Sequence, residues 1–102
     1  MGRAMKVMRA CTVPLEIAHL GDDGIMHGHS LTVEIWTDRD VCLDEWRAAA
    51  VAGLAHIEGQ LEVTIGRRTF EDVGAAVLGA LPGAVRAVVR LPTRGHLVEV
   101  CR

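Results

Sequence analysis

Hydrophobic and polar residues alternate in two neighbouring segments of the N-terminal half. In the first, Met5 to Leu20, most apolar residues share one parity with a histidine: Val7, Cys11, Val13, Leu15, Ile17 and His19. In the second segment, His27 to Thr37, the residues of one parity are again mostly apolar and include two histidines: His27, His29, Leu31, Val33 and Ile35. This period of two predicts β-strands. Pro14 favours an edge position or a bulge, and Gly21-Asp22-Asp23-Gly24 is typical of a hairpin turn.

After Asp40 the apolar period becomes three to four residues, which predicts two amphipathic helices. The stripe of the first consists of Leu43, Trp46, Ala50, Leu54, Ile57 and Leu61. We expect Gly59 to mark the end of this helix. Thr69 is predicted to be the N-cap of the second, with Glu71 and Asp72 in its first turn. The second stripe consists of Phe70, Val73, Val77 and Leu81, and Pro82-Gly83 ends it.

Two Val-rich runs complete the chain and predict a second hairpin. They extend from Ala84 to Leu91 and from His96 to Cys101, around the turn Pro92-Thr93-Arg94-Gly95. The order ββααββ predicts one α+β domain over residues 1–102, with a four-stranded antiparallel sheet and both helices on one face. The opposite face and both sheet edges would stay open, so we expect a homo-oligomer that covers the edges.

Composition narrows the class of protein. The chain has 102 residues, of which 50% are hydrophobic and 3% aromatic, and its net charge is −2. These values are typical of a globular domain and argue against a nucleic-acid partner, which would need a basic stripe. No apolar run reaches the roughly 20 residues of a membrane span. Three cysteines without a Cys-x-x-Cys spacing predict a reducing, cytoplasmic location rather than a disulfide framework.

The histidines carry the candidate chemistry. His27 and His29 are two residues apart on a predicted strand and therefore lie on the same side of it. The hairpin brings His19 opposite this pair, at a Cβ separation of about 5 Å for directly opposed residues. Three imidazoles at this spacing can hold zinc and leave one coordination position open, as in catalytic sites. The same spacing has an explanation without a metal, in which His27 and His29 are polar residues at the rim of a strand and His19 is a histidine near the core.

The same residues resemble a known family. Ile17-Ala18-His19, then His27-Gly28-His29 and Leu31-Thr32-Val33-Glu34-Ile35, resembles a signature of the 6-pyruvoyltetrahydropterin synthase and 6-carboxytetrahydropterin synthase family. The resemblance continues at Leu54-Ala55-His56 and at Thr69-Phe70-Glu71, and so covers nearly the whole chain. It implies the tunnelling fold, in which trimers close a barrel of twelve strands and two trimers stack as a hexamer.

The resemblance also implies a site. Zinc on His19, His27 and His29 would bind the side chain of a pterin-like heterocycle and acidify its C–H protons, and Thr69 and Glu71 would lie at the substrate. His56 matches the histidine of the family's Asp–His pair, but Ala55 replaces the aspartate. No cysteine lies between His19 and His27, where the family has its general base, and Asp23 stands at about that place. The late pterin-anchoring glutamate, expected near Leu91, is also missing.

Alternatives remain for the acidic residues and for the whole protein. Asp23 is equally explained as a turn residue, and Glu71 as negative charge at a helix N-terminus. We therefore expect either a divergent zinc lyase, with His56 and Asp23 moving protons, or a non-catalytic zinc-binding paralogue that binds a ligand or a partner protein. The sequence does not decide between tetrahydropterin and deazaguanine chemistry, because both use nearly the same scaffold.

Overall fold

The structure is a computed structural model that describes residues 5–20, 24–64 and 69–102. Within these ranges, only the backbone is described at residues 19, 20, 26, 58–64 and 69. The elements are β1 (Arg9–Leu20), β2 (Met26–Thr37), α1 (Leu43–Thr64), α2 (Thr69–Ala80), β3 (Ala84–Leu91), a 3-10 helix (Pro92–Arg94) and β4 (His96–Cys101). The four strands form one sheet in the order β1-β2-β3-β4, and each pairs with its neighbour in antiparallel register. The predicted α+β arrangement is confirmed.

The core lies on the sheet face that carries the odd-numbered residues of β1 and β2. Val13 is paired with Val33 and Val33 with Val89, so these side chains share one face. Both helices pack on that face in a single apolar cluster, whose helical members are Trp46, Ala50, Leu54, Ile57, Val73, Val77, Leu78 and Leu81. The predicted placement of both helices on one face is therefore confirmed.

Two sequence-based boundaries were wrong, and so was one assignment to the buried stripe of α1. β1 begins at Arg9 rather than Met5, and Met5 and Val7 are exposed. α1 continues past Gly59 to Thr64, because one glycine costs a helix only about 1 kcal/mol and good helix formers follow it. Leu43 is the first residue of α1 and is half exposed, so it does not join the buried stripe.

Helix α2 approaches the sheet closely through a glycine. A Cβ atom at Gly74 would lie 2.5 Å from Cγ2 of Val100 and 3.6 Å from Cγ2 of Val89. Val73 and Val77, on either side of it, are fully buried. The absence of a side chain at position 74 therefore sets how near α2 lies to β3 and β4, and this fixes where the first turn of α2 lies over the sheet.

The other face of the sheet carries a chain of polar contacts. Trp36 donates its indole N–H to Oε1 of Glu34 at 2.7 Å, and the Arg86 guanidinium carbon lies 4.7 Å from the Trp36 ring centroid. Arg86 Nε also lies 2.7 Å from Oε1 of Glu99. These side chains surround Val88, which is only 3% exposed although it faces away from both helices. This face is consequently polar and its charges are paired.

The β1–β2 hairpin is longer than the rest of the sheet. β3 pairs with β2 only between Thr32 and Thr37. Among the described strands, residues 26–31 of β2 pair with β1 alone. The end of the hairpin is therefore a two-stranded ribbon that extends past β3 and β4. None of the described helices is long and apolar enough to cross a membrane.

Candidate metal centre

The backbone register brings the three predicted zinc ligands to one end of this ribbon. His19 is the Cα partner of His27, and Ile17 is the partner of His29. The predicted juxtaposition of His19 with the His27-Gly28-His29 segment is thus present in the pairing of β1 and β2. All three histidines share the parity of Val33 and Leu31, so their positions belong to the sheet face that the helices cover.

His27 and His29 are half-buried. The imidazole of His29 meets the ring of Phe70 edge to face, with centroids 6.1 Å apart and planes at 82°. Phe70 is the second residue of α2 and packs against the core. The first turn of α2, which also carries Glu71, therefore lies at the histidine end of the hairpin.

Thr69 and Glu71 were the predicted substrate-binding residues. α2 begins at Thr69, so this residue is the first of the helix rather than its N-cap, and its side chain lies outside the described residues. Glu71 is an exposed residue in the first turn of the helix. Negative charge at this position favours the helix, so the structure leaves both interpretations of Glu71 open.

His56 lies on α1 and is exposed. α1 starts near Ile35, whose carbonyl oxygen accepts the Trp46 indole N–H at 3.1 Å. On the same helix, a Cβ atom at Gly53 would lie 2.9 Å from Cδ2 of Leu81, which directly follows the last residue of α2. His56 is less than one turn beyond Gly53, so the described contacts place this part of α1 beside the C-terminal end of α2 and not beside Phe70. Asp23, the other predicted proton carrier, lies outside the described residues.

The cysteines occupy the opposite end of the sheet. Cys11 is paired with Ile35, Cys101 is paired with Arg86, and Cys42 directly precedes α1. Cys11 is six residues from Ile17, or about 20 Å along β1. Within one chain, therefore, none of the three described thiols takes the place of a loop cysteine beside the histidines.

Two of these thiols have pKa values raised above the ordinary value of a cysteine. Burial raises the pKa of the Cys11 thiol, and the charge of Arg47 offsets part of the rise. The pKa of Cys101 is raised chiefly because its thiol donates a hydrogen bond to the Glu99 carboxylate at 3.3 Å. A thiol acts as a base or nucleophile in its thiolate form, so both environments oppose such a role.

Among the side chains that the structure describes, none of the acidic ones lies at the end of β3, where the late glutamate was expected. Leu91 is buried at the end of β3, and Pro92 to Arg94 turn away as a 3-10 helix. Glu34 and Glu99, the glutamates of β2 and β4, belong to the polar sheet face. His96, the fifth histidine, is the partner of Leu91 and is exposed.

Sequence reasoning missed the contact between Phe70 and His29. It assigned Phe70 to the apolar stripe of a helix, which the packing of Phe70 against the core confirms. The contact depends on how far α2 extends over β2, and no local pattern gives that distance. The only available signal was the position of Phe70 inside the Thr69-Phe70-Glu71 segment.

Among the side chains that the structure describes, no group of three or more His, Cys, Asp or Glu residues is arranged to hold a metal ion. The His19 side chain is not among them. No family model matches this chain, and none of the curated proteins matches it.

Proposed function

We propose that this chain is a divergent, zinc-dependent lyase of the 6-pyruvoyl/6-carboxytetrahydropterin synthase type, acting on a pterin-like heterocycle. One observation carries the proposal, namely the β1–β2 register, which pairs His19 with His27 and Ile17 with His29. Three histidine positions thereby meet on one face at the end of one hairpin. A one-residue shift of register would have moved His19 to the other face.

The donor set suits zinc. Directly opposed strand residues have Cβ atoms about 5 Å apart, and residues two apart on one strand are about 7 Å apart. Imidazole nitrogens projecting from such positions can converge on an ion at about 2.0–2.1 Å. Three neutral nitrogen ligands also leave a position for substrate, as catalytic zinc sites require.

Bound zinc would supply a Lewis acid that polarises a substrate oxygen. The chain's own groups would bind and move protons around it. His56 is exposed and is able to exchange protons with solvent, and Asp23 is the second proton carrier in this proposal. Glu71, exposed in the first turn of α2, would accept hydrogen bonds from the amino and ring N–H groups of the heterocycle, with Thr69 beside it.

The proposal includes the tunnelling fold and its assembly. The described sheet has the strand order and the one-sided helix layer that such a barrel needs. β1 and β4 are its edge strands, and exposed edges are templates for pairing with another chain. We infer trimers that close a barrel, stacked as a hexamer in the cytoplasm. A neighbouring subunit is then the source of any acid or base that one chain lacks.

A second function has its own support. The cysteines lie at the far end of the sheet, Ala55 stands where the family has an aspartate, and none of Leu91, Pro92 and Thr93 is acidic. These features favour a non-catalytic paralogue that keeps zinc and the barrel in order to bind a ligand or a partner protein. The two functions share the metal site and differ in turnover.

Elemental analysis tests the metal site first. We expect about one zinc per chain in the purified protein and loss of zinc in His27→Ala and His29→Ala. His96→Ala is the matched control, because it removes an exposed histidine that is absent from the proposed ligand set. A wild type that binds no metal after zinc reconstitution would contradict both functions.

Turnover separates the two functions. With dihydroneopterin triphosphate as substrate, the lyase should give product that is lost in His27→Ala and strongly reduced in His56→Ala. Zinc at full occupancy without turnover of pterin triphosphates would favour the non-catalytic paralogue. Equal turnover by wild type and His27→Ala would refute the zinc lyase.

A further inference from the structure

Phe70 and His29 form an aromatic contact that joins α2 to the histidine ribbon. Their ring centroids are 6.1 Å apart and their planes meet at 82°, which is the edge-to-face arrangement favoured by aromatic quadrupoles. Both residues are half-buried. Phe70 is thus a large side chain packed against a proposed metal ligand.

His29 lies where the sheet offers little lateral support. Residues 26–31 of β2 pair with β1 alone among the described strands. The χ2 rotation of histidine is broad and roughly two-fold, so the backbone by itself does not set the plane of the imidazole. A neighbouring ring at a fixed position restricts that plane.

The position of Phe70 is itself well determined. Val73, one helical turn later, is fully buried, and Gly74 permits a close approach to Val100 and Val89. The first turn of α2 therefore continues into a segment that packs closely against Val89 of β3 and Val100 of β4. Through its contact with His29, Phe70 connects this segment of α2 to the histidine end of the hairpin.

We propose that Phe70 is a positioning residue for the metal ligand His29, holding the imidazole plane in the orientation that zinc needs. The inference rests on the proposed zinc site and goes beyond it, because it assigns a role to a residue outside the ligand set. Outer-shell groups that hydrogen-bond a metal ligand typically change metal affinity by about 10–100-fold when they are removed, and an aromatic contact that orients a ligand should act at the lower end of that range. We expect a loss in that range.

The test compares Phe70→Leu and Phe70→Tyr with wild type. Phe70→Leu keeps an apolar side chain without the ring, and Phe70→Tyr keeps the ring. The zinc affinity is measured by competition with a chromophoric chelator, and the ligand geometry by the d–d absorption of the cobalt(II)-substituted protein. Val41→Ala is the matched control, since Val41 is also partly buried against the core but precedes α1 rather than α2.

We expect Phe70→Leu to bind zinc about tenfold more weakly with a shifted cobalt spectrum, and Phe70→Tyr to retain both wild-type properties. A wild-type spectrum and affinity in Phe70→Leu would overturn the role of Phe70, as would an equal loss in Val41→Ala. Proton NMR of the metal-free protein adds an independent readout. The ring-current shift of the His29 imidazole protons should disappear in Phe70→Leu, and its absence from wild type would overturn the contact.

The two proposals fail in different ways. A wild type that binds neither zinc nor cobalt removes the metal site, and the positioning role falls with it. A wild type that binds metal normally, together with an unaffected Phe70→Leu, leaves the metal site in place and removes only the role of Phe70.

Discussion

Single residues decide how closely the layers of this protein approach one another. At Gly74 the approach leaves no room for a methyl group, because a Cβ atom would lie 2.5 Å from Cγ2 of Val100. At Gly79, on the same helix, a Cβ atom would have no neighbour within 4 Å. The two glycines of α2 therefore have opposite effects on stability. Packing requires Gly74, whereas Gly79 only lowers the stability of the helix.

Substitution of these glycines should change stability in opposite directions. Gly74→Ala overpacks the contact with Val100 and should lower the free energy of unfolding by about 1–3 kcal/mol. Gly79→Ala meets no obstacle and should raise it by up to about 1 kcal/mol through helix propensity. Urea denaturation of both variants measures the difference. The double variant Gly74→Ala, Val100→Ala should recover part of the loss, and equal stabilities of the two single variants would contradict this account.

At the residue scale the sequence predicted which side chains are buried but not which residues touch. Strand parity correctly placed Val13, Leu15 and Ile17 in the core, because alternation is a property of each strand alone. The contact of Phe70 with His29 depends on the distance between α2 and the sheet. That distance is set at Gly74 by the shape of Val100, which lies far away in the sequence.

At the element scale, the positive charge beside the C-terminal end of α2 comes from a residue outside the helix. The last turn of α2 contains no basic residue, although a positive charge there is favourable to the helix dipole. Arg102 follows β4 and supplies it. Its guanidinium donates hydrogen bonds to the carbonyl oxygens of Leu78 and Ala84, and its backbone N–H donates to Val85 at 2.9 Å. Helix α2 and strand β4 are thereby joined at the end opposite the histidines.

Removal of this cap should destabilise the protein. Arg102→Ala leaves two carbonyl oxygens to water and should lower the free energy of unfolding by about 1–2 kcal/mol, the range for charged hydrogen bonds that are partly exposed. Thermal denaturation followed by circular dichroism gives the measurement. Arg94→Ala is the control, because it removes an arginine of equal charge from an exposed turn. Equal melting temperatures in the two variants would exclude a capping role.

Element boundaries were predicted well where they depend on local chemistry. Both ends of β3 and β4 are as the sequence indicated. Pro82-Gly83 precedes β3, and the segment from Pro92 to Gly95 interrupts the extended chain between the two strands. Gly83 and Gly95 indeed adopt φ values of 93° and 65°. The end of α1 was wrong because a single glycine, Gly59, is a weak signal inside a segment of good helix formers.

At the scale of the whole molecule, the described sheet ends in two edge strands. β1 is an edge strand of 12 residues, and β4 is the other edge. Pro14 interrupts β1, where it removes one backbone donor, as proline in edge strands does. The remaining backbone groups of these edges match the inferred pairing between subunits, and the open polar face would then line the barrel.

The mass in solution tests this assembly. We expect light scattering after size exclusion to give about six times the chain mass of 11.0 kDa, because six chains complete two stacked barrels. A trimer would retain the barrel and contradict only the stacking. A mass of 11.0 kDa at micromolar concentration would contradict edge pairing, and with it any site completed by a neighbouring subunit.

The candidate site was predictable only in part. The pairing of His19 with His27 follows from alternation and a short turn, so the sequence was sufficient for it. The supply of an acid or base was not predictable, because in the proposed site it would come from Asp23, which lies outside the described residues, or from another chain. Oligomeric geometry leaves no periodic trace in the sequence of one chain.

The unequal lengths of the two hairpins divide the molecule into parts of different local stability. Opening of residues 26–31 breaks contacts with β1 but leaves the pairing of β2 with β3 intact, so such an opening requires less free energy than global unfolding. A metal ion held by both strands of the ribbon would close this opening. Part of the binding free energy would then be used to order the hairpin. The metal affinity would therefore be higher when the ribbon is already ordered before the metal binds.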